Sequence, residues 1–220
     1  MPGPDYTIRP FQPSDLAQST EILYNAKLGL TINRLLYKNW PNAAAQRQNY
    51  RSTLENLDPA TMESLTVVDN DTGEVVGHIT VTRKNPSALE VKKDIDTTSA
   101  GPQIPDYFDP EVLAAVQATA AKLDKQFHDL DHLELTYIIV KSEHRGREIG
   151  ARLMEHVFNK SRSLGVPIAL VSEPQVLDFF LRQGFRERKY VDIDLAQWAP
   201  ANSGFGDFRL TGMIWYPDTW

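Results

Sequence analysis

Residues 133–153 read LELTYIIVKSEHRGREIGARL: an apolar run of strand length, a short loop carrying arginine and glycine, and the first turns of a helix. Leu133, Leu135, Ile138, Ile139 and Val140 make the strand, while Gly150, Leu153, Met154, Val157, Phe158 and Ser161 recur at helical spacing until Gly165 and Pro167 stop the pattern. The loop residues Arg145, Gly146, Arg147, Glu148, Ile149, Gly150 and Ala151 therefore join a strand to a helix start. There the first-turn N–H groups lack intrahelical partners and the macrodipole places roughly half a positive charge, so a phosphate or pyrophosphate is favoured. Gly146 and Gly150 allow close approach of backbone, and Arg145 and Arg147 add cationic donors.

Working outward, residues 6–10 alternate like an edge strand, and Pro13-Ser14-Asp15 opens an amphipathic helix with Leu16, Leu23, Ala26 and Leu30. A second helix is expected over about 42–57. Residues 65–68 and 75–82 read as strands around the turn Asp69-Asn70-Asp71-Thr72-Gly73, an antiparallel pair. From 84 to 132 the pattern breaks at Asn85-Pro86, at 99–105 and at Asp109-Pro110, with one helix expected over 111–127; a connection this long is usually a functional lid or mobile segment. After the central motif come a strand at 168–172, a helix at 174–182 ended by Gly184, and strands at 186–195 and 208–216 joined by a loop at 198–206. The order β-α-α-β-β-(insert)-β-α-β-α-β-β describes a mixed α/β sheet.

The composition narrows the partners. With 220 residues and 41% hydrophobic content the chain can bury one substantial core, so a single domain is expected. A formal net charge of -6, with no basic stripe, argues against a nucleic-acid partner and suits a cationic or amine-bearing substrate. The absence of cysteine excludes disulfides, thiolate nucleophiles and thiolate metal sites. No segment approaches the about 18 apolar residues of a membrane span, and the first residues carry no signal-peptide pattern, so a cytoplasmic protein without a membrane partner is expected.

Three signatures in order carry a resemblance that spans nearly the whole chain: Tyr6-Thr7-Ile8-Arg9-Pro10 followed by Ser14-Asp15-Leu16, the 133–151 segment, and Phe179-Phe180-Leu181-Arg182-Gln183-Gly184-Phe185. Together they resemble the GNAT superfamily of N-acetyltransferases, whose central motif is written Arg/Gln-x-x-Gly-x-Gly/Ala. The resemblance implies an α/β fold with a mixed, mostly antiparallel central sheet, splayed strands and flanking helices, in one domain over 1–220 with an insert at about 84–132. It implies acetyl-CoA as co-substrate. Backbone near Ile138, Ile139 and Val140 would pair with the pantetheine arm, residues 145–151 would cradle the pyrophosphate, and Phe180 would pack against the cofactor. Three departures stand out. Glu148 occupies the motif's first glycine position and brings a Cβ and a negative charge to the expected pyrophosphate. Phe180 replaces the tyrosine proposed in the family to protonate the leaving thiolate, and Glu173 replaces a frequent asparagine.

Acetylation of an amine needs a base, alignment and charge stabilisation. Glu134, a charged residue in an apolar strand, stands eleven positions before Arg145, where some members of the family carry a catalytic glutamate. A solvent-facing or salt-bridged strand residue is the plainer reading of the same position. Tyr137, three residues on, reaches the same face only if the strand is bulged. His132 has a side chain suited to proton transfer near neutrality, although an exposed loop histidine reads the same way. His128 and His132 are four residues apart, but no third ligand accompanies them, and no metal is expected. His144 precedes the loop and is a further candidate contact for the cofactor. By the family's layout, Tyr37, Trp40, Tyr107 and Phe108 would wall the acceptor pocket, where aromatic rings suit a hydrophobic or aromatic amine.

The resemblance thus implies an acetyl-CoA-dependent N-acetyltransferase acting on the primary amine of a small molecule by direct attack, with Glu134 as general base, working as a monomer or homodimer. A protein or peptide N-acetyltransferase is the alternative enzyme. A non-catalytic acyl-CoA-binding or interaction module is the alternative of another class, suggested by Glu148, Glu173 and Phe180 together.

Overall fold

The computed structural model describes residues 5–58, 61–86 and 104–217. Part of the expected irregular stretch at 99–105 lies outside these residues. Its strands are β1 (Tyr6–Pro10), β2 (Met62–Asp69), β3 (Val75–Lys84), β4 (His132–Val140), β5 (Ile168–Ser172), β6 (Arg186–Asp194) and β7 (Asp207–Trp215). The helices are α1 (Leu16–Lys27), α2 (Asn33–Leu36), α3 (Ala43–Glu55), α4 (Pro110–Asp124), α5 (Ile149–Leu164) and α6 (Leu177–Arg182).

The strands form one seven-stranded sheet in the order β1-β2-β3-β4-β5-β7-β6. Every pairing is antiparallel except β4 with β5, which is parallel and limited to Leu133 opposite Ile168 and Glu134 opposite Ala169. Beyond Glu134 the two strands diverge, so the splay read from the family resemblance is present. One face of the sheet is closed by α5, whose buried Leu153, Met154, Val157 and Phe158 pack with Leu133, Leu135, Ile168 and Met213. The opposite face is covered by α1 and α3, through Ile22, Leu23, Tyr50 and Leu54, and by α4, through Val112 and Leu123. With both faces covered, β3 is buried without a break from Val75 to Thr82, although His78, Thr80 and Thr82 are polar.

Local chemistry sets several boundaries. Asp109 caps α4 by accepting from the N–H groups of Glu111 and Val112 at 3.0 and 3.1 Å, with Pro110 at the first helical position. Gly165 ends α5 at φ 64°. The helix expected over 111–127 stops at Asp124, and the next residues close as turns. Strand β2 begins earlier than expected, because Met62, Glu63 and Ser64 pair with Thr82, Val81 and Thr80 regardless of their polarity.

β4 carries a bulge. Tyr137 faces Thr80 and Leu135 faces Val81, so Thr136 is an extra residue in β4. Thr80 and Thr82 are two apart on β3 and share a face; Glu134, opposite Thr82, and Tyr137, opposite Thr80, therefore share it too.

Candidate functional site

The loop before α5 turns twice through left-handed backbone, at Gly146 (φ 75°) and at Glu148 (φ 61°, ψ 4°), the residue that precedes the helix. The first helical bond runs from the Arg152 N–H to the Glu148 carbonyl at 2.9 Å. The N–H groups of Ile149, Gly150 and Ala151 are left facing the helix end, the feature that suits a phosphate. Gly150 matters for packing as well: a Cβ there would stand 3.3 Å from the Phe179 ring.

The cations of the loop are partly engaged elsewhere. Arg147 donates to the Tyr6 hydroxyl at 3.2 Å and Arg152 to the Tyr6 carbonyl at 3.4 Å, while Arg145 donates through Nε to the Val140 carbonyl at 3.1 Å. The Glu148 side chain is exposed, and among the described residues it joins none of the ion pairs. His144 bonds the Tyr6 hydroxyl through Nδ1 at 3.1 Å, which ties it to β1.

Residues 135–140 have a partner strand only on the β3 side, so their backbone groups aimed toward β5 meet no strand. A cleft of about 870 Å³ lies beside this opening, between Gln18, Ile22 and Asn25 of α1 and Val140, Lys141 and Arg145. Lys27 of α1 and Glu173 beyond β5 form an ion pair of 2.5 Å. The open strand edge, the doubly left-handed loop and the unpaired N–H groups fit an extended chain ending in a pyrophosphate. The expected contacts divide, however, in how they can serve. The Ile149 and Phe180 side chains are buried in the core, with Phe180 against Phe179 and Phe185, so Ile149 offers the loop only its N–H.

On the opposite side of the splay, Glu134 is half-buried and pairs with Lys84 at 3.0 Å. It lines a pocket of about 180 Å³ with Lys84, Asp124, Phe127, His132, Ala169 and Val171 among its walls. The Asp124 carboxyl is pushed up from its ordinary value, first by burial and then by the charge of Glu134. His132 is not an exposed loop residue: it is 6% exposed, and its Nδ1 lies 2.8 Å from the Leu130 carbonyl with the ring beside Phe127. Nothing local in the sequence marks Asp124 or Lys84; α4 and β3 deliver them from opposite ends of the insert.

The aromatic residues expected around the acceptor do assemble, but as a cluster of their own. Tyr37 and Phe108 are bridged as isolated strand partners and buried, and Tyr107 and Trp40 pack on them half-exposed. The Lys38 N–H bonds the Tyr107 carbonyl at 2.9 Å and the Asp109 N–H bonds the Leu36 carbonyl at 2.8 Å, so the end of the insert is stitched to α2. None of these four aromatics is among the residues lining the Glu134 pocket. Burial raises the phenols of Tyr37 and Tyr50, which face one another, with Asn49 donating to the Tyr37 hydroxyl at 3.0 Å.

Tyr137 has a buried hydroxyl without a hydrogen-bond partner, and burial pushes it up to about 12. Its ring lies 5.5 Å from that of His78, a fully buried histidine. The His78 Nε2 is 3.2 Å from the Thr80 hydroxyl and 3.3 Å from that of Ser64. His78, Thr80 and Thr82 alternate along β3 as a polar row on one face, which the intervening Ile79 and Val81 mask in the sequence. Among the described residues no group of three or more His, Asp or Glu side chains is placed to hold a metal ion, and no helix is long and apolar enough to cross a membrane.

A family model described as the acetyltransferase (GNAT) family matches residues 31–185. No curated protein matches the chain by sequence. Among solved structures, the chain is similar to an agmatine N-acetyltransferase in its apo form, at 14% identity and a TM-score of 0.61 over 96% of this chain and 99% of that one. It is similar to the polyamine N-acetyltransferase of Drosophila melanogaster, which forms N-acetylagmatine, at 16% identity and a TM-score of 0.58 over 96% and 100%. Arabidopsis thaliana NAA60 in complex with acetyl-CoA matches at 14% identity and a TM-score of 0.51 over 96% and 98%. At these identities the likeness concerns the fold.

Proposed function

The chain belongs to the acetyltransferase (GNAT) family, and from that premise we propose that it acetylates a primary amine of a small molecule, with Glu134 as the general base. Members of the family use acetyl-CoA, which supplies the acetyl group and the leaving thiolate. The residues of this chain have the remaining tasks. The N–H groups of Ile149, Gly150 and Ala151, with Arg145, hold the pyrophosphate. The open edge at Ile138, Ile139 and Val140 orients the pantetheine arm. Glu134, whose Oε2 is held by Lys84, keeps its other oxygen for the amine proton. Phe180 has no hydroxyl, so the departing thiolate takes its proton from another source.

The observation that carries this reading is the bulge at Thr136, which turns Glu134 and Tyr137 to one face beside the point where β4 leaves β5. The small acceptor is supported by the size of the Glu134 pocket and by its two carboxylates, Glu134 and Asp124, which suit an ammonium group better than a peptide chain. Agmatine and polyamine acetyltransferases of the same fold act on molecules of that kind.

The test is thiol release from acetyl-CoA with agmatine, putrescine, spermidine, tyramine and a short peptide as acceptors. Turnover of the free amines over the peptide is expected, and a preference for the peptide would move the assignment to a protein N-acetyltransferase. Glu134→Gln is expected to lower kcat by about 10²- to 10³-fold with little change in acetyl-CoA affinity. An unchanged rate would remove Glu134 as base. One observation favours a second reading: the exposed Glu148 charge at the pyrophosphate loop fits an acyl-CoA binder that has lost turnover, and tight acetyl-CoA binding without thiol release from any amine would select it.

A further inference from the structure

His132 stands two residues before Glu134 on the same strand, so their side chains share one face. Both line the same pocket. The partner of His132 Nδ1 is the Leu130 carbonyl at 2.8 Å, and a carbonyl oxygen can only accept. The proton of the neutral ring therefore resides on Nδ1, and the unshared pair is on Nε2. Among the described residues no hydrogen bond is made to Nε2, and it is not one of the buried polar atoms left without a partner, so it is the ring nitrogen open to the pocket. A tautomer locked by a backbone carbonyl, with a free nitrogen in a pocket beside a carboxylate, is the arrangement that prepares an imidazole to receive a proton.

We infer that His132 is a positioning residue of a two-step relay: Glu134 takes the proton of the acceptor amine and passes it to His132 Nε2, which holds it until it leaves to solvent. The inference rests on the proposed acetyl transfer. In that reaction the amine nitrogen forms the new N–C bond, the C–S bond breaks with its electron pair on sulfur, and the amine proton ends on the imidazole. Glu134 is thereby returned to the carboxylate that Lys84 holds.

Charged groups approach the ring from several elements. Asp124 from α4, Asp131 from the preceding loop and Glu134 from β4 are negative; the Asp124 and Asp131 carboxyls each feel the charge of His132. Lys84 from β3 opposes them, but it is committed to Glu134, and Arg83 is committed to Asp131 at 2.8 Å. His128, on the turn after α4, is exposed and paired with Asp129. Glu134 and Asp131 are thus each held by a cation, and among the described residues Asp124 joins no ion pair.

Long-range proton–nitrogen NMR of the full chain tests the arrangement without an acceptor. The neutral His132 ring is expected to carry its proton on Nδ1, and its Nε2 resonance is expected to move in Glu134→Gln, because the group it exchanges a proton with is gone. A ring protonated on Nε2, or an Nε2 resonance that Glu134→Gln leaves in place, overturns the relay. In the acetyl-transfer assay, with agmatine or whichever screened amine is turned over fastest, His132→Gln is expected to lower kcat by about tenfold or more. It should leave the KM for acetyl-CoA unchanged and remove the low-pH limb of the rate profile. A full rate and an unaltered profile in that variant overturn the relay even where Glu134→Gln is inactive, leaving Glu134 to exchange directly with water. If no amine is turned over, the proposed function fails, and the tautomer and the coupling to Glu134 decide His132 on their own.

Discussion

Glu148 explains why the family motif has glycine at its position and what departing from it costs. Its φ of 61° lies in the left-handed region, where a Cβ costs roughly 1–2 kcal/mol. The loop adopts the conformation regardless, since the following helix and the preceding Gly146 turn define the path of the chain. Replacing Glu148 with glycine relieves that strain but adds about 0.5–1 kcal/mol of unfolded-chain entropy, so the melting temperature is expected to move little. Acetyl-CoA affinity is expected to rise about two- to fivefold through loss of one like charge, and the gain should shrink at high salt. Calorimetry at two ionic strengths checks this; an affinity that does not change would mean that the carboxylate already points away from the pyrophosphate. At this scale the sequence offers Glu134 and the loop residues as candidates. It could not say that Lys84 and Asp124 meet Glu134, because the partners come from elements 50 and 10 residues away by roughly counted separation, and no local pattern encodes such a meeting.

At the scale of elements, β1 and β5 fall where alternation and apolar runs predict them, and α5 follows its periodic face to Gly165. The short α2 has no signature in the sequence, since a single turn has no period to read. The bulge in β4 is the element-level feature with most effect, for without Thr136 the strict alternation of a strand would put Glu134 and Tyr137 on opposite faces. The junction of α5 with α6 is equally tight. Gly150→Val would drive methyl groups into the Phe179 ring, which a Cβ alone already approaches to 3.3 Å. The expected cost is about 1–3 kcal/mol of stability, with weakened acetyl-CoA binding as the helix start shifts. Thermal melts and calorimetry would measure both, and a variant equal to the parent in each would show that α6 yields freely.

Across the whole molecule, the two covered faces of the sheet differ in kind. The α5 face is apolar, while the face under α1 and α3 encloses Thr66, His78 and Thr80. Burial pushes the His78 ring down to about 4, so the folded protein keeps it neutral where the unfolded chain, near 6.5, binds a proton. The unfolded state therefore holds more protons between those values, and stability present above pH 6.5 is lost as pH falls toward 4. The gap is worth roughly 3 kcal/mol. Urea midpoints taken from pH 7.5 down to 4.5 are expected to fall in the parent and to flatten in His78→Gln; parallel curves for the two would remove His78 as the cause.

The family, the mixed α/β class, the order of elements and the strand–loop–helix of residues 133–153 can all be read along the chain, because periodicity, turn chemistry and a motif are local and need no knowledge of what lies across the sheet. The splay of β4 from β5, the common face of Glu134 and Tyr137, the buried tautomer of His132 and the separation of the aromatic cluster from the Glu134 pocket required the folded molecule. Each depends on register and on contacts between distant segments, where a shift of one residue reverses which side chains meet.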